Sequence, residues 1–304
     1  MIFVFFVDKC LFRLVRVRMH PFPLYFMQFR YNIHMDKWRL LMTPPARGAW
    51  NMAVDEALLE AAGRGESLPT LRLYDWTPAC LSLGIAQSYK DVDAPRLVAN
   101  GWDVVRRATG GRAILHVDEL TYSVTAPPDE PRVQGSVLES YRRLAGALVA
   151  ALQTLGLAVE IEPHAPPTSA EKGPVCFEVP SAYEIVVGGK KLVGSAQARK
   201  RHGVLQHGTL PLHGDLTRIT QALVFPDEAA RREAARSLLA RAATVESVTG
   251  QDMAWETAAQ AFVGAFESQL GLSFECGELS SGEKARAEEL VQKKYGHPDW
   301  TMKN

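Results

Sequence analysis

Cysteine is scarce in this 304-residue chain: Cys10, Cys80, Cys176 and Cys276 are spread along it, and no two form a C-x-x-C pair. That spacing excludes a zinc ribbon and a thioredoxin-like redox motif, and it suits a reducing compartment where a single thiol stays free for chemistry. No run of 18 apolar residues is present, so no membrane-spanning helix is expected. Net charge is absent too, with 34 Lys and Arg against 34 Asp and Glu, which leaves no basic footprint for nucleic acid or an anionic bilayer. Neither a G-x-x-x-x-G-K-[ST] phosphate loop nor a G-x-G-x-x-G dinucleotide turn occurs. What remains, 47% hydrophobic and 22% charged residues, is the composition of a soluble globular protein.

The first 34 residues stand apart. They hold nine of the 26 aromatic residues and set Lys9, Arg13, Arg16, Arg18 and Arg30 against Asp8 alone. A secretory signal would put positive charge first, then a longer apolar core and a small-residue cleavage site. Here the apolar run Ile2–Val7 comes first and no such site follows. A basic amphipathic anchor is a second reading of this composition. The compositional break favours an extension outside the fold, with Met35 as the natural start.

From Trp38 onward strands and helices become legible. Apolar alternation predicts strands at Trp38–Met42, Thr70–Tyr74, Cys80–Leu83, Trp102–Arg106, Leu120–Thr125 and Val204–Leu212. Asn51 is placed to cap a helix that ends at Gly63. Ser136 and Glu139 form an S-x-x-E capping box for a helix with Tyr141, Ala145, Leu148 and Leu152 at helical spacing, stopped by Gly156. Pro163, Pro166, Pro167 and Pro174 predict an irregular loop over 162–175. Gly188-Gly189, between the runs Tyr183–Val187 and Lys191–Ala198, predicts a tight hairpin turn, which needs positive φ. Helices are expected over 227–242, 254–270 and 283–295. The elements mix without a βαβ repeat, so the fold class is α+β with C-terminal helices.

Three segments could carry chemistry. In Arg106-Arg107-Ala108-Thr109-Gly110-Gly111-Arg112-Ala113-Ile114-Leu115-His116 a strand runs into a glycine pair, where backbone N–H groups can approach a ligand with no Cβ in the way. The flanking arginines could hold an anion or orient a carbonyl; a glycine turn with solvated arginines is the more common meaning of such a pattern alone. In Lys190-Lys191-Leu192-Val193-Gly194-Ser195-Ala196, followed by Gln206-His207-Gly208, a strand lysine precedes small residues that leave room for a ligand; alone, a surface lysine beside a packed glycine is the commoner case. The third, Cys176-Phe177-Glu178-Val179-Pro180-Ser181-Ala182-Tyr183-Glu184, puts a cysteine in a proline-rich loop before a strand. Most free cysteines are inert small hydrophobes. A thiol of ordinary pKa is only a few per cent thiolate at pH 7, and an ammonium that lowers the pKa by about one unit raises this to roughly a quarter. Lys191, on the second strand of the following hairpin, could fold back beside Cys176.

Together these segments resemble the biotin/lipoate protein ligase catalytic family, in order over roughly Trp38 to Leu212 and weakly in the tail Tyr295–Trp300. In that family an R-R-x-[ST]-G-G-[GR]-A-x-x-H segment lines the acyl site, which implies substrate-binding roles for Arg106, Arg107, Thr109, Gly110, Gly111, Arg112 and His116. A G-K-K-x-x-G-S-A segment carries the family's lysine, here Lys191, and implies the same for Gly194, Ser195 and Ala196, with His207 beyond. The family's octanoyltransferase branch has a C-F-x-x-P-S-x-Y-E segment whose cysteine carries an acyl thioester, here Cys176. ATP-dependent lipoate ligases usually show a third glycine where this chain has Arg112, and Asn-Asp where it has Tyr183-Glu184, so the departures favour the transferase.

The resemblance implies a mixed-sheet, class II synthetase-like α+β domain at 35–250, with 1–34 an extension and 251–304 a helical C-terminal appendage. It also implies a cytoplasmic, ATP-independent enzyme with catalytic Cys176 and Lys191 and with no cofactor, metal, nucleic acid or membrane. Its donor would be octanoyl-acyl-carrier protein and its acceptor a lipoyl-carrier protein such as the glycine-cleavage H protein. An ATP-dependent lipoate ligase, a carrier-to-carrier octanoyl amidotransferase and a non-enzymatic carrier-binding protein are the rival readings.

Overall fold

The apolar alternations settle as strands, and the strands assemble edge to edge around one mixed sheet. The computed structural model describes residues 36–163 and 183–304; the expected extension 1–34 and Cys176 lie outside the described residues. In chain order the elements are β1 (Asp36–Met42), α1 (Gly48–Gly63), β2 (Thr70–Tyr74), β3 (Cys80–Leu83), α2 (Ala94–Asn100), β4 (Asp103–Arg106), β5 (Ile114–His116) and β6 (Glu119–Ala126). There follow α3 (Val137–Thr154), β7 (Val159–Pro163), β8 (Tyr183–Val187), β9 (Lys190–Lys200), β10 (Gly203–Pro211), α4 (Glu228–Arg241), α5 (Val245–Thr249), α6 (Trp255–Leu270), β11 (Leu272–Cys276) and α7 (Ser281–Leu290).

The main sheet runs β11-β1-β2-β6-β10-β9-β8-β7, and a smaller one runs β4-β3-β5. β1 is parallel to both β11 and β2, whereas β2, β6, β10 and β9 pair antiparallel in turn. Side chains alternate between the two faces of such strands, and this parity sorts the sheet. One face carries Leu71, Leu73, Tyr122, Val124 and Leu210 into an apolar core with α3 and α6, where Phe262 and Phe266 pack near the Tyr122 ring. The other face is polar and is covered by α1.

Register puts two rows of residues across that polar face. Arg72, Ser123, His207 and Ala196 lie side by side on β2, β6, β10 and β9, and the next row is Tyr74, Thr121, Thr209 and Gly194. Both rows end on a residue with little or no side chain. The β8–β9 turn confirms the glycine reading, since Gly188 and Gly189 have φ of 54° and 71°. The α3 capping box is also present: Glu139 N–H donates to Ser136 Oγ at 3.2 Å and Ser136 N–H to Glu139 Oε2 at 2.7 Å.

Two expectations need correction. Asn51 is not a cap: α1 begins at Gly48 after Arg47, and buried Asn51 instead donates to Ala46 O and Asp75 O. Residues 251–304 are not a helical appendage. They supply the edge strand β11 to the main sheet, α6 to its core, and α7 against α1. A chain that pairs and packs in this way shares the core of the rest. No described helix is long and apolar enough to cross a membrane.

Candidate active site

The polar face is organised by a buried carboxylate in the middle of α1. Asp55, 1% exposed, accepts from Arg72 Nη1 at 2.8 Å, Ser123 Oγ at 2.9 Å and Tyr74 OH at 3.0 Å. Its fourth partner is His207 Nδ1 at 3.3 Å. Burial pushes the Asp55 carboxyl up, but His207 and Arg72 together outweigh it and hold the group below the usual carboxylate range. Burial pushes His207 the other way, below an ordinary imidazole, against the pull of Asp55. The neutral ring therefore keeps its proton on Nδ1, facing the carboxylate, and Nε2 accepts from Thr109 Oγ1 at 2.7 Å. Thr109 opens the glycine pair, so Asp55 fixes His207 and His207 fixes the loop.

The arginines of that loop point inward. Arg107 donates to Ser82 O at 3.0 Å and to Gly110 O and Arg112 O, both at 2.8 Å. Arg106, 1% exposed, donates to Gly84 O at 3.0 Å, Trp300 O at 3.0 Å and Thr301 O at 3.1 Å. These guanidinium groups bond backbone carbonyls, with Ser82 Oγ also accepting from Arg107 at 3.1 Å, and so shape the loop. His116 is likewise a buried linker. Its Nδ1 donates to Glu119 Oε1 at 2.6 Å, its Nε2 accepts from Ser82 Oγ at 2.7 Å, and its ring stacks on Trp76 at 4.0 Å. Gly111 has φ of 91°, open to glycine, and Gly84 approaches so closely that a Cβ there would meet Gly111 O at 2.0 Å.

On β9 the parity separates three residues that stand together in the sequence. Gly194 and Ala196 lie beside Thr209 and His207 on the polar face. Ser195 faces the other way: its Oγ shares a hydrogen bond of 2.8 Å with Tyr122 OH, on the side of α6. Lys191 is 4% exposed and its Nζ donates to Glu184 Oε1 at 2.6 Å, with Glu184 itself 7% exposed. The ammonium is thus one half of a buried ion pair. Its partner is the last residue of the Cys176–Glu184 segment. Among the described residues Cys80 is a free cysteine, buried, with burial pushing its thiol well above the ordinary range. No group of three metal-ligating side chains occurs among the described residues.

Residues 47–267 match the lipoyl protein ligase A/B catalytic domain. The chain belongs to that family. Octanoyltransferase LipM of Kyrpidia tusciae is 42% identical over 274 residues, 88% of this chain and 100% of that protein. Octanoyltransferase LipM of Brevibacillus brevis is 38% identical over 275 residues, again 88% of this chain and 100% of the relative. Among solved structures, the bi-partite lipoate protein ligase of Thermoplasma acidophilum is 28% identical with a TM-score of 0.74, over 88% of this chain and 96% of that one.

Two residues that matter here escaped the sequence. Asp55 sits inside a helical run and carried no motif. Glu184 closes the cysteine segment but gave no sign that it would meet Lys191; the only available signal was a carboxylate on a strand paired with the lysine strand.

Proposed function

We propose that this chain moves an octanoyl group from octanoyl-acyl-carrier protein to a lysine of a lipoyl-carrier protein, such as the glycine-cleavage H protein, through a thioester on Cys176. That it is an acyltransferase follows from relatives 34–42% identical to it over nearly all of their own length. The observation that carries the finer reading is the buried Lys191–Glu184 pair at 2.6 Å, because it ties the end of the Cys176–Glu184 segment to the strand that bears the lysine.

In this reading the Cys176 thiolate attacks the donor's thioester carbonyl, the bond to the carrier sulfur breaks, and the carrier leaves as its thiol after taking up a proton. The acceptor lysine, as a free amine, then attacks the Cys176 thioester; an amide forms, the bond to Cys176 breaks, and the amine's proton is released. Lys191 favours the thiolate by its charge. Backbone N–H groups of the Gly110-Gly111 loop, held by Thr109, Arg106 and Arg107, stabilise the oxyanion. Gly194 and Ala196 leave room for the acyl chain beside His207. Thioester to thioester is nearly isoenergetic and thioester to amide runs downhill, so the transfer needs no ATP, and its carrier substrates make it a cytoplasmic enzyme.

The likeness to a solved lipoate protein ligase motivates a second reading, ATP-dependent ligation of free lipoate. Mass spectrometry of the reduced protein mixed with octanoyl-acyl-carrier protein, without nucleotide, separates the two. An octanoyl adduct on Cys176 that discharges onto H protein is the expected result. No adduct without ATP, and pyrophosphate release with ATP and free acid, would move the chain to the ligase class.

A further inference from the structure

In the two rows that form the polar floor, the other polar side chains have partners. Arg72, Tyr74, Ser123 and His207 converge on Asp55. Thr121 Oγ1 accepts from Trp76 Nε1 at 2.8 Å and donates to Glu119 Oε1 at 2.5 Å. Thr209 stands between Thr121 and Gly194, is 1% exposed, and its hydroxyl has no hydrogen-bond partner among the described residues. A buried hydroxyl left in this state costs the fold free energy, and such a cost persists where a ligand supplies the missing partner.

Position tells what that partner is. Thr209 shares a face with His207, two residues along β10, and its neighbour Gly194 puts no side chain over it. Gly194 itself lies three residues beyond Lys191 on β9. A hydroxyl can donate one proton, and among the described residues nothing accepts it from Thr209. We propose that Thr209 donates its hydrogen bond to the carbonyl oxygen of the acyl group, both in the incoming thioester and in the thioester held by the enzyme. This inference rests on the acyl-transfer reading given above. As the thiolate adds to the carbonyl carbon, negative charge moves onto that oxygen and the Thr209 bond strengthens; as the leaving sulfur departs the charge returns. Thr209 keeps its proton throughout and forms no covalent bond.

The sheet provides its own control. Thr125 also has a buried hydroxyl without a partner among the described residues, but it lies opposite Leu205, one row beyond His207 and away from the Lys191 end. Thr209→Val, Thr209→Ser and Thr125→Val, made in the full chain, are compared for melting temperature and for the rate of octanoyl adduct formation on Cys176 from octanoyl-acyl-carrier protein. Valine removes an unpaired hydroxyl at equal volume, so both valine variants are expected to melt at or slightly above the wild-type temperature. Adduct formation by Thr209→Val is expected to fall by a factor between about 10² and 10³, with Thr209→Ser retaining most of the rate and Thr125→Val unchanged. A Thr209→Val protein that acylates at the wild-type rate overturns the proposal, as does one that melts several degrees lower, since its hydroxyl then had a partner in the free fold. Equal slowing in Thr125→Val also overturns it. If wild type itself forms no adduct, the acyl-transfer reading falls and this inference with it.

Discussion

Replacing Lys191 by methionine keeps the side-chain volume and deletes the charge that faces Glu184. Both residues are buried, at 4% and 7% exposure, and 2.6 Å apart, so the buried Glu184 carboxyl loses this ammonium. Deleting one partner of such a pair typically costs about 3–5 kcal/mol. Urea unfolding of wild type and Lys191→Met at pH 7 is expected to show a loss within that range, about 3–5 kcal/mol. A loss below about 1 kcal/mol, the size of an exposed pair, would refute the argument. Lys191→Met/Glu184→Gln removes the stranded carboxyl and is expected to recover much of the loss at pH 7. That double variant, and not Lys191→Ala, is the one in which to measure acylation. Rate recovery at high pH would assign the lysine to the thiol, and a loss at every pH would assign it to the carbonyl oxygen.

Two further outcomes follow from other parts of the structure. Burial pushes the Glu56 carboxyl up, but Lys200, Lys294 and Tyr295 overcome it and bring it down to about 2. Its contribution, up to about 3 kcal/mol, is present above about pH 4.5 and lost as pH falls toward 2; acid unfolding of Glu56→Gln should lack that step, and an unchanged acid profile would count against a stabilising role for these contacts. Gly84→Ala would set a methyl 2.0 Å from Gly111 O, so the Gly110-Gly111 loop has to shift; slowed adduct formation in a folded protein is expected, and wild-type kinetics would show that the loop's position is not critical.

The glycine pair, the lysine strand, the hairpin turn and the α3 cap were legible because each has a local cause: positive φ, period-2 alternation, or a side chain bonding its own helix end. What the sequence concealed depends on partners far along the chain. Arg106 and Arg107 beside two glycines look like an anion site, yet both are buried and donate to carbonyls, some of them nearly 200 positions away. Ser195 stands between Gly194 and Ala196, but strand parity sends it to the opposite face, which becomes evident only once the pairing of β9 with β10 and the position of α6 are known. β11 is five residues long, and its strand character comes from lying beside β1 rather than from its own composition.

The C-terminal tail shows why a division near residue 250 fails on physical grounds. Tyr295 OH and Lys294 Nζ both donate to Glu56 on α1, and Trp300 Nε1 donates to Arg106 O at 2.8 Å. Arg106 answers by donating to carbonyls of Trp300, Thr301 and Lys303, and with the same guanidinium it holds Gly84, Ile85 and Gln87. One buried side chain therefore joins the tail to the turn that Gly111 rests on. Removing the tail would leave Arg106 with unsatisfied donors in an apolar setting and free the Gly84 turn, which would loosen the loop on which Thr109 and the two glycines are mounted. The weak resemblance over Tyr295–Trp300 is thereby given a physical content. It marks the residues that hold Arg106, and through it the Gly84 turn beneath the Gly110-Gly111 loop, from behind.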